Sequence, residues 1–253
     1  MPNILILNAI AKVGLDRFPA GYNIGAKVTE PDGILVRSHN MHDMDIPASV
    51  KAIGRAGAGV NNIPVDKMSK RGAPVFNAPG ANANAVKELV IAALLMTSRN
   101  IAPALTFVAG LRGDDKTLHK LVEDGKKAFS GIELPGRTLG VIGLGKIGSL
   151  VADAAIKLGM NVVGFDPHIT VDAAWSLSSL VKKANSIEEV LKVSDFVTIH
   201  VPLVTATKNL IGKERLALMK KGAILLNFAR DGGAGNHRVR DACRGLERWF
   251  EEQ

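Results

Sequence analysis

The stretch TLGVIGLGKIGSLVADAAIKLGMNVVGFDPH, residues 138–168, decides the fold of this chain. An apolar strand pattern runs up to Gly143, helix-periodic apolar residues follow, and a second apolar run at residues 161–165 leads to Asp166. Gly143, Gly145 and Gly148 have the spacing G-x-G-x-x-G. In the context strand, turn, helix, strand, this spacing is typical of a dinucleotide-binding turn.

Each part of this turn has a physical task. Gly143 permits the tight turn, Gly145 lets the backbone approach a pyrophosphate, and Gly148 lets the helix pack close to the strand. The amino end of the helix offers N–H groups and partial positive charge to the anion. Asp166 would accept hydrogen bonds from ribose hydroxyls and repel a 2′-phosphate, so the sequence predicts NAD rather than NADP. A glycine-rich turn that binds no ligand is the alternative.

The rest of the chain repeats the same rhythm of short apolar runs and helix-length segments, which predicts mostly parallel sheets with crossover helices. Residues 84–99 have apolar side chains on more than half of a helix circumference, which predicts a helix buried between layers. Residues 110–130 are highly charged and predict an exposed helix and loop. The predicted strands lie within residues 3–9, 33–38, 49–57, 73–79, 194–203 and 223–230.

Composition places the 253-residue chain among globular proteins, with 47% hydrophobic and 22% charged residues. The single Cys243 excludes an internal disulfide framework. The first residues lack the basic region of a signal peptide. The longest apolar stretch, Leu89–Thr97, is too short to cross a bilayer. We therefore expect a cytoplasmic protein without a membrane partner.

The net charge of +8 indicates anionic small ligands or simply a basic surface rather than nucleic acid, because the basic residues are dispersed and few aromatic residues could stack on bases. His39 and His42 have a spacing that suits a metal, but no third ligand accompanies them. We therefore predict no nucleic-acid partner and no metal site.

Several motifs in order resemble the D-2-hydroxyacid dehydrogenase family, and within it the branch that oxidises 3-phosphoglycerate. They are RAGAGVNNIPVD (55–66), NAPGANANAVKELVIA (77–92), LGVIGLGKIG (139–148), HVPL (200–203) and LNFAR (226–230). The resemblance implies an α/β protein of two lobes with NAD and substrate between them. The expected domains are a flavodoxin-like substrate lobe at 1–97, a Rossmann-type NAD-binding domain with a doubly wound parallel sheet at 98–230, and an aberrant tail at 231–253.

The implied activity is the NAD-dependent oxidation of 3-phosphoglycerate to 3-phosphohydroxypyruvate, the entry step of serine synthesis. A dehydrogenase for another 2-hydroxy acid, such as glycerate or lactate, and a non-catalytic NAD-binding module are the alternatives. The family pairs subunits through the coenzyme lobe, so a homodimer is also expected.

On the substrate side, the resemblance assigns Arg230 to the substrate carboxylate and carbonyl oxygen. A planar guanidinium can hold two oxygens at once and polarise a developing alkoxide. Arg37, Ser38 and Arg55 fall where the family contacts the phosphate end, together with the backbone of Ala58 and Gly59. For each arginine a solvated surface charge is the alternative.

On the coenzyme side, the resemblance adds residues around the turn and at later strand ends. His200 is expected in the coenzyme pocket rather than as a catalytic base. The added residues are Lys146, Ile147, Pro167, His200, Val201, Pro202, Thr207, Phe228 and Ala229.

The family's acid/base histidine and its glutamate partner would fall beyond Gln253, so little turnover and a coenzyme sheet incomplete at its C-terminal part are expected. His237 and the acidic residues Glu247, Glu251 and Glu252 do not have the placement to replace that pair. A frameshift, a pseudogene and a true gene end are all compatible with the abrupt change in composition after about residue 230.

Overall fold

The computed structural model describes residues 1–202 and 204–229. The chain divides into two compact units, the first covering residues 1–82 and the second beginning at Ala83. Arg230 and the tail at 231–253 lie outside the described residues.

The first unit is built on a five-stranded parallel sheet with the order β2-β1-β3-β4-β5. This is the flavodoxin-like strand order, as predicted. The buried face holds Ile34, Val36 and Ile53, which pack on Met41 and Met68. The strands are β1 (Asn3–Leu7), β2 (Asn23–Gly25), β3 (Gly33–Val36), β4 (Ala52–Arg55) and β5 (Val75–Phe76), and the helices are α1 (Lys12–Leu15) and α2 (Val65–Lys70).

The second unit contains another five-stranded parallel sheet, with the order β10-β9-β6-β7-β8. This is the order of a doubly wound Rossmann-type sheet, in which the chain starts at the centre and reverses direction. The strands are β6 (Thr138–Ile142), β7 (Asn161–Phe165), β8 (Val181–Lys183), β9 (Phe196–Ile199) and β10 (Ile224–Asn227). The helices are α3 (Ala83–Ser98), α4 (Ile101–Gly110), α5 (Asp115–Gly125), α6 (Lys146–Lys157), α7 (Val171–Ser176), α8 (Ile187–Val193) and α9 (Lys213–Leu216).

Both faces of the second sheet are covered by apolar packing. On one face Val90 and Leu94 of α3 and Val151 of α6 pack against Leu139 and Val141 of β6. On the other face Val190 and Leu191 of α8 pack against Ile142, Val197 and Ile199. Burial of a strand on both faces explains why the sequence of β6 and β9 is a continuous apolar run rather than an alternating one.

The two compact units divide between residues 82 and 83, one helix earlier than the expected domain boundary at residue 97. Helix α3 belongs to the second unit, because Val90, Ala93 and Leu94 join the core that covers β6. The expectation that α3 is buried between layers is only partly met, since Leu89 and Leu95 are 36% and 39% exposed. The expected exposure of residues 110–130 is confirmed, since α5 buries no residue.

Within the described residues, no single helix is long and apolar enough to cross a membrane. The bent pair α3 and α4 passes that test together by length and composition alone.

Candidate functional site

The glycine turn after β6 has the steric constraints that its spacing suggests. Gly143 has φ +92°, and a β-carbon there would lie 2.8 Å from the carbonyl oxygen of His200. A β-carbon on Gly148 would lie 1.9 Å from the carbonyl oxygen of Gly143. Around Gly145, by contrast, a β-carbon would meet nothing within 4 Å, so the protein itself leaves space in front of this residue. Of the three glycines of this turn, Gly143 and Gly148 are therefore required by the packing of the protein, whereas Gly145 is not.

Helix α6 begins at Lys146 directly after this space, with Gly145 as its N-cap. Glycine has no side chain with which to cap the first N–H groups, so these donors remain for water or for a ligand. A helix of 12 residues also carries partial positive charge at this end. Lys146 is exposed and Ile147 half-buried at the same position. The arrangement is suited to a phosphate or pyrophosphate group.

Asp166 follows β7 and is fixed beside the turn by backbone donors. Its Oδ2 accepts a hydrogen bond from the Leu144 N–H at 2.8 Å, and its Oδ1 accepts one from the His168 N–H at 2.9 Å. Each carboxylate oxygen still has a free lone pair for a further donor such as a hydroxyl. Pro167, the next residue, is exposed.

Asp166 and Pro167 also border a cleft of about 440 Å³. The other lining residues are Leu144, Gly164, Phe165, Ile169, Ala174, Leu177, Val181, Lys183, Ala184 and Asn185.

His200 and its neighbours follow β9, the strand on the other side of β6. The His200 N–H donates to the Ile142 carbonyl at 2.7 Å, which continues the ladder between β9 and β6. The ring Nε2 pairs with Thr198 Oγ1 at 2.9 Å, and burial lowers the pKa of His200 from 6.5 to about 4. The imidazole is therefore neutral at pH 7 and is already hydrogen-bonded, which suits a wall of a binding site better than a general base.

The remaining coenzyme residues complete the same edge of the sheet. Thr207 donates its hydroxyl to the Pro202 carbonyl and accepts from the Val204 N–H at 2.9 Å, so it fixes the loop after β9. Val201 is half-buried against the apolar packing beside β9. Phe228 and Ala229, which follow β10, pack against the two apolar clusters on opposite faces of the sheet.

These residues fit NAD. The turn offers space at Gly145, donors at the start of α6, and a carboxylate at Asp166 that would hold ribose hydroxyls. All of them lie at the carboxyl ends of the parallel strands β6 and β7. The glycine turn follows β6, where the strand order reverses between β6 and β9, and open α/β sheets bind ligands at such a position.

A second set of predicted residues lies at the carboxyl edge of the first sheet. Arg37 and Ser38 follow β3, and Arg55 ends the neighbouring strand β4. Arg55 is only 9% exposed, and its Nε donates to the Arg37 carbonyl at 3.0 Å. Arg37 itself is exposed. The two guanidinium groups therefore belong to adjacent segments, one held in the protein and the other free to reach an anion.

Ala58 and Gly59 lie in the loop that continues from Arg55. The Asn77 amide donates to the Ala58 carbonyl at 2.6 Å, and the Ala78 N–H donates to the Gly57 carbonyl at 3.0 Å. These bonds tie the loop to the segment after β5. The predicted substrate residues Arg37, Ser38, Arg55, Ala58 and Gly59 are thus brought to one edge of one sheet.

One residue at this edge was not predicted. Asn8 follows β1 and is hydrogen-bonded to both Arg37 and Ser38. Its place directly after the first apolar strand, in a residue type that tolerates the left-handed conformation, is the signal that could have found it.

The catalytic prediction at Arg230 falls outside the described residues, as does the whole segment 231–253. Among the described residues, no group of three or more His, Cys, Asp or Glu side chains could hold a metal ion.

Comparison with known proteins supports the interpretation of the second unit. Residues 91–243, more than half of the chain, match the model of the D-isomer specific 2-hydroxyacid dehydrogenase, NAD binding domain. The chain therefore belongs to this family.

Two curated members of the family illustrate the range of similarity. The chain is 42% identical over 209 residues to the D-3-phosphoglycerate dehydrogenase of Methanocaldococcus jannaschii, which covers 81% of this chain and 37% of the relative. It is 36% identical over 208 residues to the hydroxypyruvate reductase of Thermotoga maritima, which covers 81% of this chain and 62% of the relative. The chain thus spans less than two thirds of the length of these relatives.

Solved structures agree on the fold. The TT0316 protein from Thermus thermophilus superposes with a TM-score of 0.74 at 27% identity, covering 96% of this chain and 78% of that one.

Proposed function

We propose that the chain is an NAD-dependent dehydrogenase that oxidises 3-phosphoglycerate to 3-phosphohydroxypyruvate. The observation that carries the choice of substrate is the pair of arginines at the carboxyl edge of the first sheet, Arg37 and Arg55, of which Arg55 is 9% exposed and anchored to the Arg37 carbonyl. Two cationic side chains from neighbouring strand ends favour an anionic group at this edge of the sheet. A phosphate provides the charge and the paired oxygens that arginine binds best.

The coenzyme side of the proposal rests on the glycine turn, the start of α6 and Asp166. NAD, when bound, would accept the hydride from the carbon that bears the substrate hydroxyl. The residues of this chain would bind and orient: the N–H groups at Lys146, Ile147 and Gly148 would hold the pyrophosphate, and Asp166 the ribose. Arg230, which lies outside the described residues, is proposed to bind the substrate carboxylate and to polarise the carbonyl oxygen.

A second candidate is a dehydrogenase or reductase for an unphosphorylated hydroxy acid. The similarity to the hydroxypyruvate reductase of Thermotoga maritima, at 36% identity over 81% of this chain, favours it. Such a substrate would need no guanidinium for a phosphate, so the role of Arg37 separates the two candidates.

The deciding experiment is calorimetric titration of the NAD-loaded protein with 3-phosphoglycerate and with D-glycerate. Arg37→Ala is preferred to a substitution of Arg55, because Arg37 is exposed and its loss does not open the core. Removing charged hydrogen bonds costs about 1.5–3 kcal/mol, so we expect 3-phosphoglycerate to bind roughly 10–100-fold more weakly, with glycerate unchanged.

Arg17→Ala is the matched control, an exposed arginine in the loop after α1. It should leave both ligands unaffected. Equal binding of the two ligands by the wild-type chain, or an equal loss for both in Arg37→Ala, would favour the unphosphorylated substrate. Reduction of NAD is measured in a separate experiment, because the rate depends on general acid/base residues as well as on substrate binding. Such residues alone change rates by about 10²–10⁴-fold.

We also propose that the chain forms a homodimer through α4. No residue of this helix is buried, although its sequence IAPALTFVAG is almost entirely apolar. Leu105 and Val108 are 63% and 57% exposed, and Leu121 and Val122 of α5 are also exposed. An apolar helix that a single chain leaves uncovered is suited to a protein interface.

A further inference from the structure

Asn8 links the first strand of the sheet to the segment that we propose binds the substrate phosphate. It follows β1 directly and has φ +56°, a left-handed conformation that asparagine tolerates. Its Oδ1 accepts from the backbone N–H groups of Arg37 and Ser38 at 3.2 and 3.3 Å, and its Nδ2 donates to Ser38 Oγ at 2.9 Å. A single side chain thus holds both residues that follow β3.

The orientation of the Asn8 amide is fixed by this pattern. If the amide were turned over, its NH₂ group would face the two backbone N–H donors, and two sets of donors cannot bond to each other. The carbonyl oxygen must therefore point at the backbone, and the NH₂ group must point at Ser38 Oγ.

This arrangement determines what Ser38 can offer to a ligand. A serine hydroxyl has one proton to donate and two lone pairs that accept. Because Nδ2 of Asn8 can only donate, Ser38 Oγ is the acceptor in this bond, and its own proton remains available. Beside Arg37 and Arg55, a free hydroxyl donor favours an anion.

We propose that Asn8 is a positioning residue that sets the selectivity of this edge for anions, by holding Ser38 as a hydrogen-bond donor. The proposal rests on the proposed function, in which this edge binds the phosphate of the substrate. A carboxylate of the same shape at position 8 would reverse the bond: it would accept the Ser38 proton and add a negative charge beside the anion. Charge and hydrogen-bond direction, rather than shape, then define the role of Asn8.

The test is calorimetric titration of the NAD-loaded chain with 3-phosphoglycerate, comparing Asn8→Asp, Asn8→Ala and wild type. We expect Asn8→Asp to bind at least 10-fold more weakly than Asn8→Ala. Alanine only removes the hydrogen bond to Ser38, whereas aspartate takes up the Ser38 proton and places a negative charge beside the anion. Lowering the pH to protonate the new carboxylate should shrink this deficit relative to wild type measured at the same pH. A merely structural role would give no such pH profile.

Asn23→Asp is the matched control. Asn23 lies in β2 of the same sheet, where its amide donates to Asn3 Oδ1 at 3.0 Å, so the substitution makes the same change of charge at the opposite end of the strands. It should leave binding of 3-phosphoglycerate unchanged. Parallel titrations with inorganic phosphate and with D-glycerate identify which anionic group of the substrate is affected.

Equal affinities of Asn8→Asp and Asn8→Ala would overturn the role of Asn8, whereas a wild-type chain that binds no 3-phosphoglycerate would instead overturn the proposed function. If Asn8→Asp does not fold, a double-mutant cycle of Asn8→Ala and Ser38→Ala replaces it. A coupling of at least about threefold in affinity is then expected, and independent effects would contradict the proposal.

Discussion

Gly143 and Gly148 approach each other so closely that a β-carbon on Gly148 would lie 1.9 Å from the carbonyl oxygen of Gly143. The first residue ends the strand-side turn and the second lies within the first turn of α6. Their contact sets how near the amino end of the helix comes to the sheet, and hence where its N–H donors lie.

Replacing Gly148 by alanine should therefore destabilise the second unit rather than only weaken ligand binding. The new β-carbon meets backbone, which cannot rotate away, and overpacking of this kind costs about 1–3 kcal/mol or more. We expect thermal unfolding to occur several degrees lower, measured by calorimetry or circular dichroism. Gly145→Ala is the control, because a β-carbon there meets nothing within 4 Å. An unchanged unfolding temperature for Gly148→Ala would contradict the contact.

Asp166 should control the choice between NAD and NADP. Its carboxylate is held by the N–H groups of Leu144 and His168, so it cannot turn away from a 2′-phosphate. Replacing Asp166 by alanine should weaken NAD binding by roughly 10–100-fold, as expected for hydrogen bonds to a charged group, and should remove most of the preference over NADP.

Titration of the Asp166→Ala variant with each coenzyme measures this effect. Asp172→Ala, in α7 of the same unit, is a suitable control because Asp172 is exposed. A preference for NAD that survives in Asp166→Ala would show that another group makes the choice.

His200 should make the stability of the second unit depend on pH. Burial lowers its pKa from 6.5 to about 4, so the unfolded chain binds a proton more readily than the folded one between these values. Stability is fully present above about pH 6.5 and falls as the pH drops towards 4, by about 3 kcal/mol for a shift of this size.

Urea unfolding at several pH values tests this prediction with His200→Gln, which cannot take up the proton. The variant should lose the part of the slope that lies between pH 6.5 and 4, whereas His168→Gln, at an exposed position of the same unit, should keep it. The same slope in wild type and His200→Gln would mean that other groups cause it.

The proposed dimer depends on the exposed apolar residues of α4. Replacing Leu105 or Val108 by lysine places a charge in the interface, and burying an unpaired charge is unfavourable enough to separate the chains. Sedimentation equilibrium should show a monomer for these variants and a dimer for wild type. Val171→Lys changes a residue of α7 that is 72% exposed and should leave the dimer intact. A wild-type chain that is monomeric at all concentrations would refute the interface.

The strands that could be predicted from the sequence are those whose apolar residues match their buried position in the sheet. Strand β7 was predicted at residues 161–165 and has these bounds, because a buried strand next to the glycine turn carries an uninterrupted apolar run. Strands β2 and β8 could not be found in this way. Their sequences, NIG and VKK, contain no such run, and they become strands by pairing with β1 and β7 at the edges of the sheets.

In the candidate site, too, some residues could be predicted from the sequence and others are brought together only by the fold. The glycine turn and Asp166 follow from spacing, since the residues are close in the chain. Asn8 lies 30 positions before Ser38, and only the order of the strands brings the two together. The substrate assignment of Arg37 and Arg55, the catalytic role of Arg230, the cytoplasmic location and the absence of a nucleic-acid partner stay predictions.

The central claim is that the turn at Gly145 and the start of α6 bind NAD. Calorimetric titration of the purified chain with NAD, compared with Gly145→Val, tests it most directly, because the added side chain would fill space that the protein leaves open without disturbing its core. We predict saturable binding by wild type and none by a folded Gly145→Val variant. Failure of the folded wild-type chain to bind NAD, or equal binding by both chains, would contradict the account.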